Sequence, residues 1–209
     1  MIKHIWFDFS DTIALIKKDS HDQLRYETYA KVVNKPLTSE LVAEYERLFK
    51  ENKNSNSSAF KSLGMLASFW LDLVSNVNPS SLYGLTDSNI PEVLEKMSKI
   101  IPISVFSNIN VNKILPALGI DSKWFTHILS AGMIGAPKPA LDGFYKMIEL
   151  SGVSPDEILY IGDDIGKDII PAKTVGIQTG AVFMKLEEAD YSFTDFRDIL
   201  EFVKSKNLR

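Results

Sequence analysis

The chain contains no cysteine, which excludes disulfides, thiolate-bound metals and a cysteine nucleophile and suits a reducing compartment, so a cytoplasmic protein is expected. Histidine is scarce: His4, His21 and His127 stand alone, none at the spacing of paired metal ligands, and none is assigned a catalytic role. No apolar run approaches the ~20 residues that a membrane-crossing helix requires. Asp8 interrupts the only apolar stretch near the start, so neither a signal peptide nor a membrane partner is expected. A strongly basic balance is also missing. The 23 basic and 27 acidic residues are spread along the chain, leave a formal net charge of -4, and form no stripe to follow a nucleic-acid backbone, so a nucleic-acid polymer is not an expected partner. The only low-complexity tract is the short polar one at residues 52–58.

What is present is a folding chain of ordinary balance. Hydrophobic residues at 45% against charged residues at 24%, over 209 positions, supply a sizeable core for one domain or for a core with an inserted module. Short apolar runs at residues 2–7, 101–106, 127–130, 158–161 and 177–183 are uniform enough to be strands buried on both faces. Helical patterns at residues 111–118, 139–151 and 167–175 lie between the last four runs, the alternation of a parallel sheet with right-handed crossovers. The expected class is α/β with a doubly wound parallel sheet. Residues 17–85 break this rhythm, with helices drawn at 21–34, 38–53 and 58–76, separated by Lys35-Pro36 and by the polar tract. Such a long crossover predicts a separate all-helical cap at 17–85, inserted into a core of 1–16 and 86–209. Pro91 fits the first turn of the helix that re-enters the core, and Gly119, Gly152 and Gly176 read as helix stops.

Open parallel sheets bind ligands at the carboxyl ends of their strands. The residues following the apolar runs are Asp8-Phe9-Ser10-Asp11-Thr12, then Ser107-Asn108, then Lys138 between two prolines, then Gly162-Asp163-Asp164 with Asp168 beyond. Singly, each has an ordinary reading: Asp8 as a cap, Ser107 and Asn108 as turn residues, Lys138 as a solvated cation, the aspartates at the positive end of a helix. Together and in this order they suit phosphoryl transfer to a carboxylate, which attacks phosphorus and splits one hard displacement into two easier ones. Both partners are anionic. A hard divalent cation offsets that repulsion, with Asp8 and Asp163 supplying carboxylates while water and phosphate complete an octahedron. Ser107 would donate to a phosphoryl oxygen and Lys138 would neutralise both the nucleophile and the transferred group.

These four segments resemble the four motifs of the haloacid dehalogenase superfamily, and the resemblance runs along essentially the whole chain. It implies a Rossmann-like core with a helical cap, Mg2+ as cofactor, Asp8 as nucleophile and the Ser10 backbone carbonyl on the metal. It further implies Ser107, Asn108 and Lys138 around the phosphate, Asp163 on the metal, and Asp164 and Asp168 as metal-proximal partners. Residues 189–191 and an amphipathic helix at 194–204 are similar to the family's usual ending. The implied activity is hydrolysis of small phosphate monoesters through an aspartyl phosphate. Ser107-Asn108-Ile109-Asn110 resembles the second motif of the superfamily's sugar-phosphate phosphatases, so a small phosphorylated metabolite such as a sugar phosphate is the expected partner. Asn110 also reads as the cap of a helix beginning near Val111. The acting species would be a monomer or a homodimer.

The chain departs from the family pattern at two places. Ser10 stands where the superfamily's phosphatases place a general acid and base, and Asp11 replaces the next glycine. General acid-base catalysis typically contributes about 10² to 10⁴ in rate. Three readings compete: Asp11 or a cap residue takes over the proton, the substrate has a good leaving group, or the chain binds phosphate ligands with little turnover. Dehalogenase and phosphonatase branches also lack that aspartate. A dehalogenase would need a cap arginine, Arg25 or Arg47, and no metal, whereas Gly162-Asp163-Asp164 keeps the paired acids. A phosphonatase would need a cap lysine, for which Lys17, Lys18 and Lys53 are placed by location only. Leu63, Leu66, Phe69, Trp70, Leu71 and Leu73 surround most of one helix and read as the cap's own core.

Overall fold

Residues 1–207 are described in a computed structural model. They divide into two compact units, one of Met1–Leu15 with the chain from Gly84 onward, the other of Ile16–Tyr83. The chain opens with β1 (His4–Phe7) and β2 (Ala14–Ile16). Five helices follow: α1 (Lys18–Val32), α2 (Ser39–Glu51), α3 (Asn56–Ser62), α4 (Phe69–Asn76) and α5 (Pro79–Leu82). It returns through β3 (Tyr83–Leu85), which pairs with β2 as a two-stranded ribbon. Then come α6 (Ile90–Ser98), β4 (Ile103–Ser107), α7 (Ile114–Ala117), β5 (Phe125–Ser130), α8 (Ala131–Ile134) and α9 (Asp142–Ser151). The last elements are β6 (Ile158–Gly162), a π-turn at Ile165–Ile169, α10 (Ile170–Thr174), β7 (Gln178–Val182), β8 (Tyr191–Phe193) and α11 (Phe196–Asn207). Among the described residues no helix is long and apolar enough to cross a membrane.

Six strands form one parallel sheet in the order β5-β4-β1-β6-β7-β8. β1 lies inside it, flanked by β4 and β6, so the order reverses there and opens a crevice at the carboxyl ends of these three strands. Every residue of β1, β4 and β6 is buried, the polar His4, Ser104 and Ser107 among them, as expected of strands covered on both faces. Alternate side chains take opposite faces. Trp6, Ile158 and Tyr160 pack with Phe144 and Met147 of α9 and Ala172 of α10. On the other face Phe7 stacks on Phe196 of α11 at 5.7 Å. Each such aliphatic or aromatic side chain taken out of water contributes about 1.5–3 kcal/mol.

The α/β class and doubly wound sheet are as the apolar runs foretell, with differences that have local causes. The expected third helix at 58–76 breaks into α3 and α4 because Gly64 takes φ 86°, a left-handed conformation that stops a helix. α5 was not foreseen. Gly119, Gly152 and Gly176 do stop helices, at φ 77°, 63° and 85°. Asn110 does not cap α7: its carboxamide accepts from the Asn112 N–H at 3.1 Å in a turn that precedes it. The ending read at 189–191 is the entry to a sixth strand. β8 is held by long-range contacts, the Tyr191 and Phe193 rings on Phe202 of α11 and the Asp190 carboxylate accepting from Thr179 N–H at 2.8 Å.

The helical unit has its own core of Tyr29, Leu41, Tyr45, Ala59, Phe60 and Trp70. Phe60 stacks on Trp70 at 5.5 Å and meets Tyr45 at 5.6 Å. Of the apolar positions expected to build it, Trp70 is buried while Leu66 and Leu71 face solvent. Arg25 is nearly buried, paired with Asp22 at 2.9 Å and Glu46 at 2.7 Å, and lies over the Phe49 ring.

His4 generates the prediction of this fold. Its ring meets the Ser104 hydroxyl at 2.8 Å and lies beside His127, and burial, aided by the His127 charge, lowers its pKa to about 4. The unfolded chain therefore binds more protons than the folded one between pH 6.5 and 4. Stability should be full above pH 6.5 and decline as pH falls toward 4. In His4→Gln, thermal unfolding followed across that window should show a shallower decline, and an unchanged slope would exonerate His4.

Candidate active site

Asp8 follows the last residue of β1, and its N–H continues the ladder by donating to Ile161 O at 2.8 Å. The chain then folds back sharply: the Ile13 and Ala14 N–H groups both donate to Phe9 O at 2.9 Å. Asp11 sits within this turn at φ 59°, in the left-handed region that glycine, asparagine and aspartate adopt most readily. That geometry explains how aspartate substitutes for the glycine of the resembled motif. The turn delivers the Thr12 hydroxyl to Asp163 Oδ1 at 3.1 Å, and the Thr86 hydroxyl braces it by donating to Thr12 O at 2.5 Å. Ser10 is exposed and bridges to Ala14.

At the end of β6, Gly162 gives way to Asp163 and Asp164. A Cβ at Gly162 would lie 2.6 to 2.8 Å from the Cβ, Cγ and Oδ2 of Asp168, so only glycine leaves room for that carboxyl group. Asp168 is buried, with Oδ2 accepting from the Asp164 N–H at 3.2 Å. Lys138, also buried, donates from its ammonium to Asp8 Oδ1 at 2.5 Å, Asp168 Oδ1 at 2.6 Å and the Tyr160 hydroxyl at 2.9 Å. Its loop is latched to the end of β4 by Asn108, whose Oδ1 accepts the Lys138 N–H at 2.7 Å and whose Nδ2 donates to Lys138 O at 3.3 Å. Ser107, buried, accepts the Ile109 N–H at 3.2 Å on its hydroxyl oxygen.

Oxygens of Asp8, Asp163 and Asp168 lie within 4.8 Å of one another. Burial pushes the Asp8 carboxyl up to about 7 against the pull of Lys138, with Asp168 adding to the rise. Asp163 is raised by burial and then by Asp168. Burial alone would lower the Lys138 ammonium, but Asp8 and Asp168 outweigh it and hold it above the ordinary lysine value. Carboxylates outnumber ammonium groups in this pocket, and their oxygens are hard ligands converging on one point. That donor set fits a divalent cation of the magnesium type.

Of the residues expected from sequence, Asp8, Lys138, Asp163 and Asp168 come together, with Ser107 and Asn108 at the end of the adjacent strand β4. Two of the expected residues are engaged with other partners. The Asp164 carboxylate stands outside the converging group because it caps its own turn, accepting from Gly166 and Lys167 N–H at 2.8 Å and pairing with the Lys167 ammonium at 3.1 Å. The side chain of Asn108, a residue expected near the phosphate, bonds to the backbone of Lys138. Thr12 and Tyr160 were missed. Thr12 stood inside the first motif without a role, and a phenol inside an apolar run signals a buried hydroxyl that must find a partner.

Residues 5–182 match the haloacid dehalogenase-like hydrolase family. The chain is similar to the glyceraldehyde 3-phosphate phosphatase of Pyrococcus furiosus, 30% identical over 95 residues, covering 40% of this chain and 39% of that protein. It is also similar to a 5-amino-6-(5-phospho-D-ribitylamino)uracil phosphatase of Escherichia coli, 31% identical over 99 residues, covering 47% of this chain and 40% of that one. The matched stretches thus span about 40% of the length of these curated relatives. In fold the chain resembles the HAD phosphatase of Thermococcus onnurineus, with a TM-score of 0.75 at 18% identity over 97% of this chain and 98% of that one. A 2-haloacid dehalogenase of Pseudomonas syringae superposes with a TM-score of 0.66 at 19% identity over 99% of both chains. At such identities these two likenesses speak for the fold alone.

Gly162→Ala tests the packing at the site. The added methyl group must displace the Asp168 carboxyl, and overpacking of this kind costs about 1–3 kcal/mol. Thermal denaturation should show a melting temperature several degrees lower; an unshifted transition would mean that the turn accommodates the methyl group.

Proposed function

Because the chain belongs to the haloacid dehalogenase-like hydrolases, we propose that it is a magnesium-dependent hydrolase of small phosphate monoesters acting through an aspartyl phosphate on Asp8. The observation that carries this reading is the buried contact of 2.5 Å between the Lys138 ammonium and Asp8 Oδ1, beside the converging carboxylates of Asp163 and Asp168. A carboxylate this deeply buried favours its neutral form. The ammonium opposes that preference and keeps an anionic nucleophile available.

Asp8 and Asp163, with the Ser10 carbonyl, would hold the ion. Bound magnesium would offset the charge between phosphate and nucleophile and polarise a phosphoryl oxygen. Asp168 serves the lysine more than the metal, since Lys138 and Tyr160 occupy its Oδ1 and the Asp164 N–H its Oδ2. In the first step the Asp8 carboxylate attacks phosphorus and the alcohol departs; in the second, water cleaves the acyl phosphate and frees Asp8. The Ser107 hydroxyl donates to a phosphoryl oxygen and Lys138 neutralises the charge that gathers there. Substrate choice is assigned to the helical unit as a cap. The names of the phosphatase relatives support a small phosphorylated metabolite, with sugar phosphates among the candidates.

Proton transfer is the weak point of the site. Ser10 carries no titratable group where an acid is expected, and Asp11, exposed in the same turn, is the nearest carboxyl in the motif. This supports a second reading, a phosphate-binding protein of low turnover. The dehalogenase and phosphonatase readings find less support: Arg25 is bound into ion pairs of its own unit, Arg47, Lys18 and Lys53 are exposed, and Lys17 donates to Ser80 O at 2.8 Å.

An aryl phosphate, whose leaving group barely needs an acid, supplies the first test. Hydrolysis should require magnesium, vanish with a chelator, and fall by at least a thousandfold in Asp8→Asn; equal rates in that variant would remove Asp8 as nucleophile. Ser10→Asp should raise turnover of alkyl phosphates at least tenfold, toward the about 10² to 10⁴ that an acid-base group contributes. No gain would point to Asp11 as a working substitute, or to a displaced loop.

A further inference from the structure

An ammonium has three N–H donors and no acceptor. All three of Lys138's are spoken for, by Asp8 Oδ1 at 2.5 Å, Asp168 Oδ1 at 2.6 Å and the Tyr160 hydroxyl at 2.9 Å. The hydroxyl does more than accept. It donates to Asp168 Oδ1 at 3.0 Å, so phenol, ammonium and carboxylate close a triangle of hydrogen bonds. The phenol itself has no freedom: Tyr160 lies in the middle of β6, is fully buried, and meets the Phe144 ring edge-on at 5.4 Å.

The lysine arm, by contrast, is a flexible four-carbon stem. Two carboxylates alone would fix the ammonium along the line between them but not across it. A third partner on a rigid strand fixes the point. We propose that Tyr160 is a positioning residue, whose hydroxyl tethers the Lys138 ammonium against Asp8 and at the same time orients Asp168. The kinetic consequence rests on the phosphatase reading above, while the hydrogen-bonded triangle stands independently of it.

Tyr160→Phe removes the oxygen and keeps the ring that packs on Phe144. With an aryl phosphate and saturating magnesium, well below the melting temperature, kcat should fall between about tenfold and a hundredfold, the scale that a misplaced catalytic group costs. KM should stay within threefold, because the residues that would hold the metal and the Ser107 hydroxyl are untouched by the change. A fold defect would instead lower the melting temperature without that split. A second measurement uses the wild-type chain with lysine labelled by ¹⁵N. One ammonium signal, identified by its loss in Lys138→Arg, should exchange slowly with water and show a cross-peak to a tyrosine hydroxyl. A folded Tyr160→Phe with kcat within twofold of wild type would overturn the proposal. So would a wild-type spectrum lacking the slowly exchanging ammonium or its cross-peak, and this criterion holds even if the variant does not fold. Absence of hydrolysis by the wild type counts against the phosphatase reading only, and the spectrum then decides the tether by itself.

Discussion

The Lys138 ammonium is the charge on which the site depends. Asp8 follows β1, Asp168 lies in the π-turn after β6, both are buried, and Lys138 reaches them from the loop between α8 and α9 at 2.5 and 2.6 Å. Charges taken out of water so completely persist only when paired and hydrogen-bonded, and removing one member of such a set typically costs about 3–5 kcal/mol. The surroundings are arranged to keep the pairing intact. Asn108 grips the backbone of Lys138, Tyr160 receives its third N–H, and the Asp164 N–H holds the far oxygen of Asp168.

The sheet makes this convergence available. With β4 and β6 on either side of β1, chain leaving these strands in opposite directions frames the crevice where Asp8, Ser107 and Asp163 emerge. The apolar interior that buries the strands also lowers the local dielectric, which strengthens each ion pair and raises the cost of each unpaired charge. Packing and electrostatics meet at Gly162, where absence of a side chain leaves the volume that the Asp168 carboxyl fills.

The turn after β1 shows how a chain keeps a geometry while altering its chemistry. Asp11 adopts the left-handed conformation the turn demands, and the Phe9 carbonyl still collects two N–H groups. The backbone that presents Asp8 is therefore intact, while Ser10 changes only what the turn can do with a proton. On the proposed reading, nucleophile and proton carrier would be separable functions of one loop, because the first depends on main-chain direction and the second on a single side chain.

The sequence by itself determined five of the six strands of the main sheet, their parallel arrangement and the order of the four polar segments. Uniform apolar runs reveal burial on both faces, and ligands gather at strand ends whatever the detailed packing. It did not determine which carboxyl groups face one another. Asp164 and Asp168 look equivalent in the chain, yet one caps its own turn and the other binds a lysine thirty residues away in sequence. Nothing in the chain shows that the Asn108 side chain latches the backbone of Lys138; Tyr160 looked like core and carries a hydroxyl in the site. β8 and the break at Gly64 were likewise invisible, the first because it is held by contacts from α10, α11 and β7, the second because a glycine alone does not reveal its φ. Periodicity records whether a side chain is buried. The direction of a carboxylate depends on partners that only the folded chain brings within hydrogen-bonding distance, and that was left to the tertiary structure.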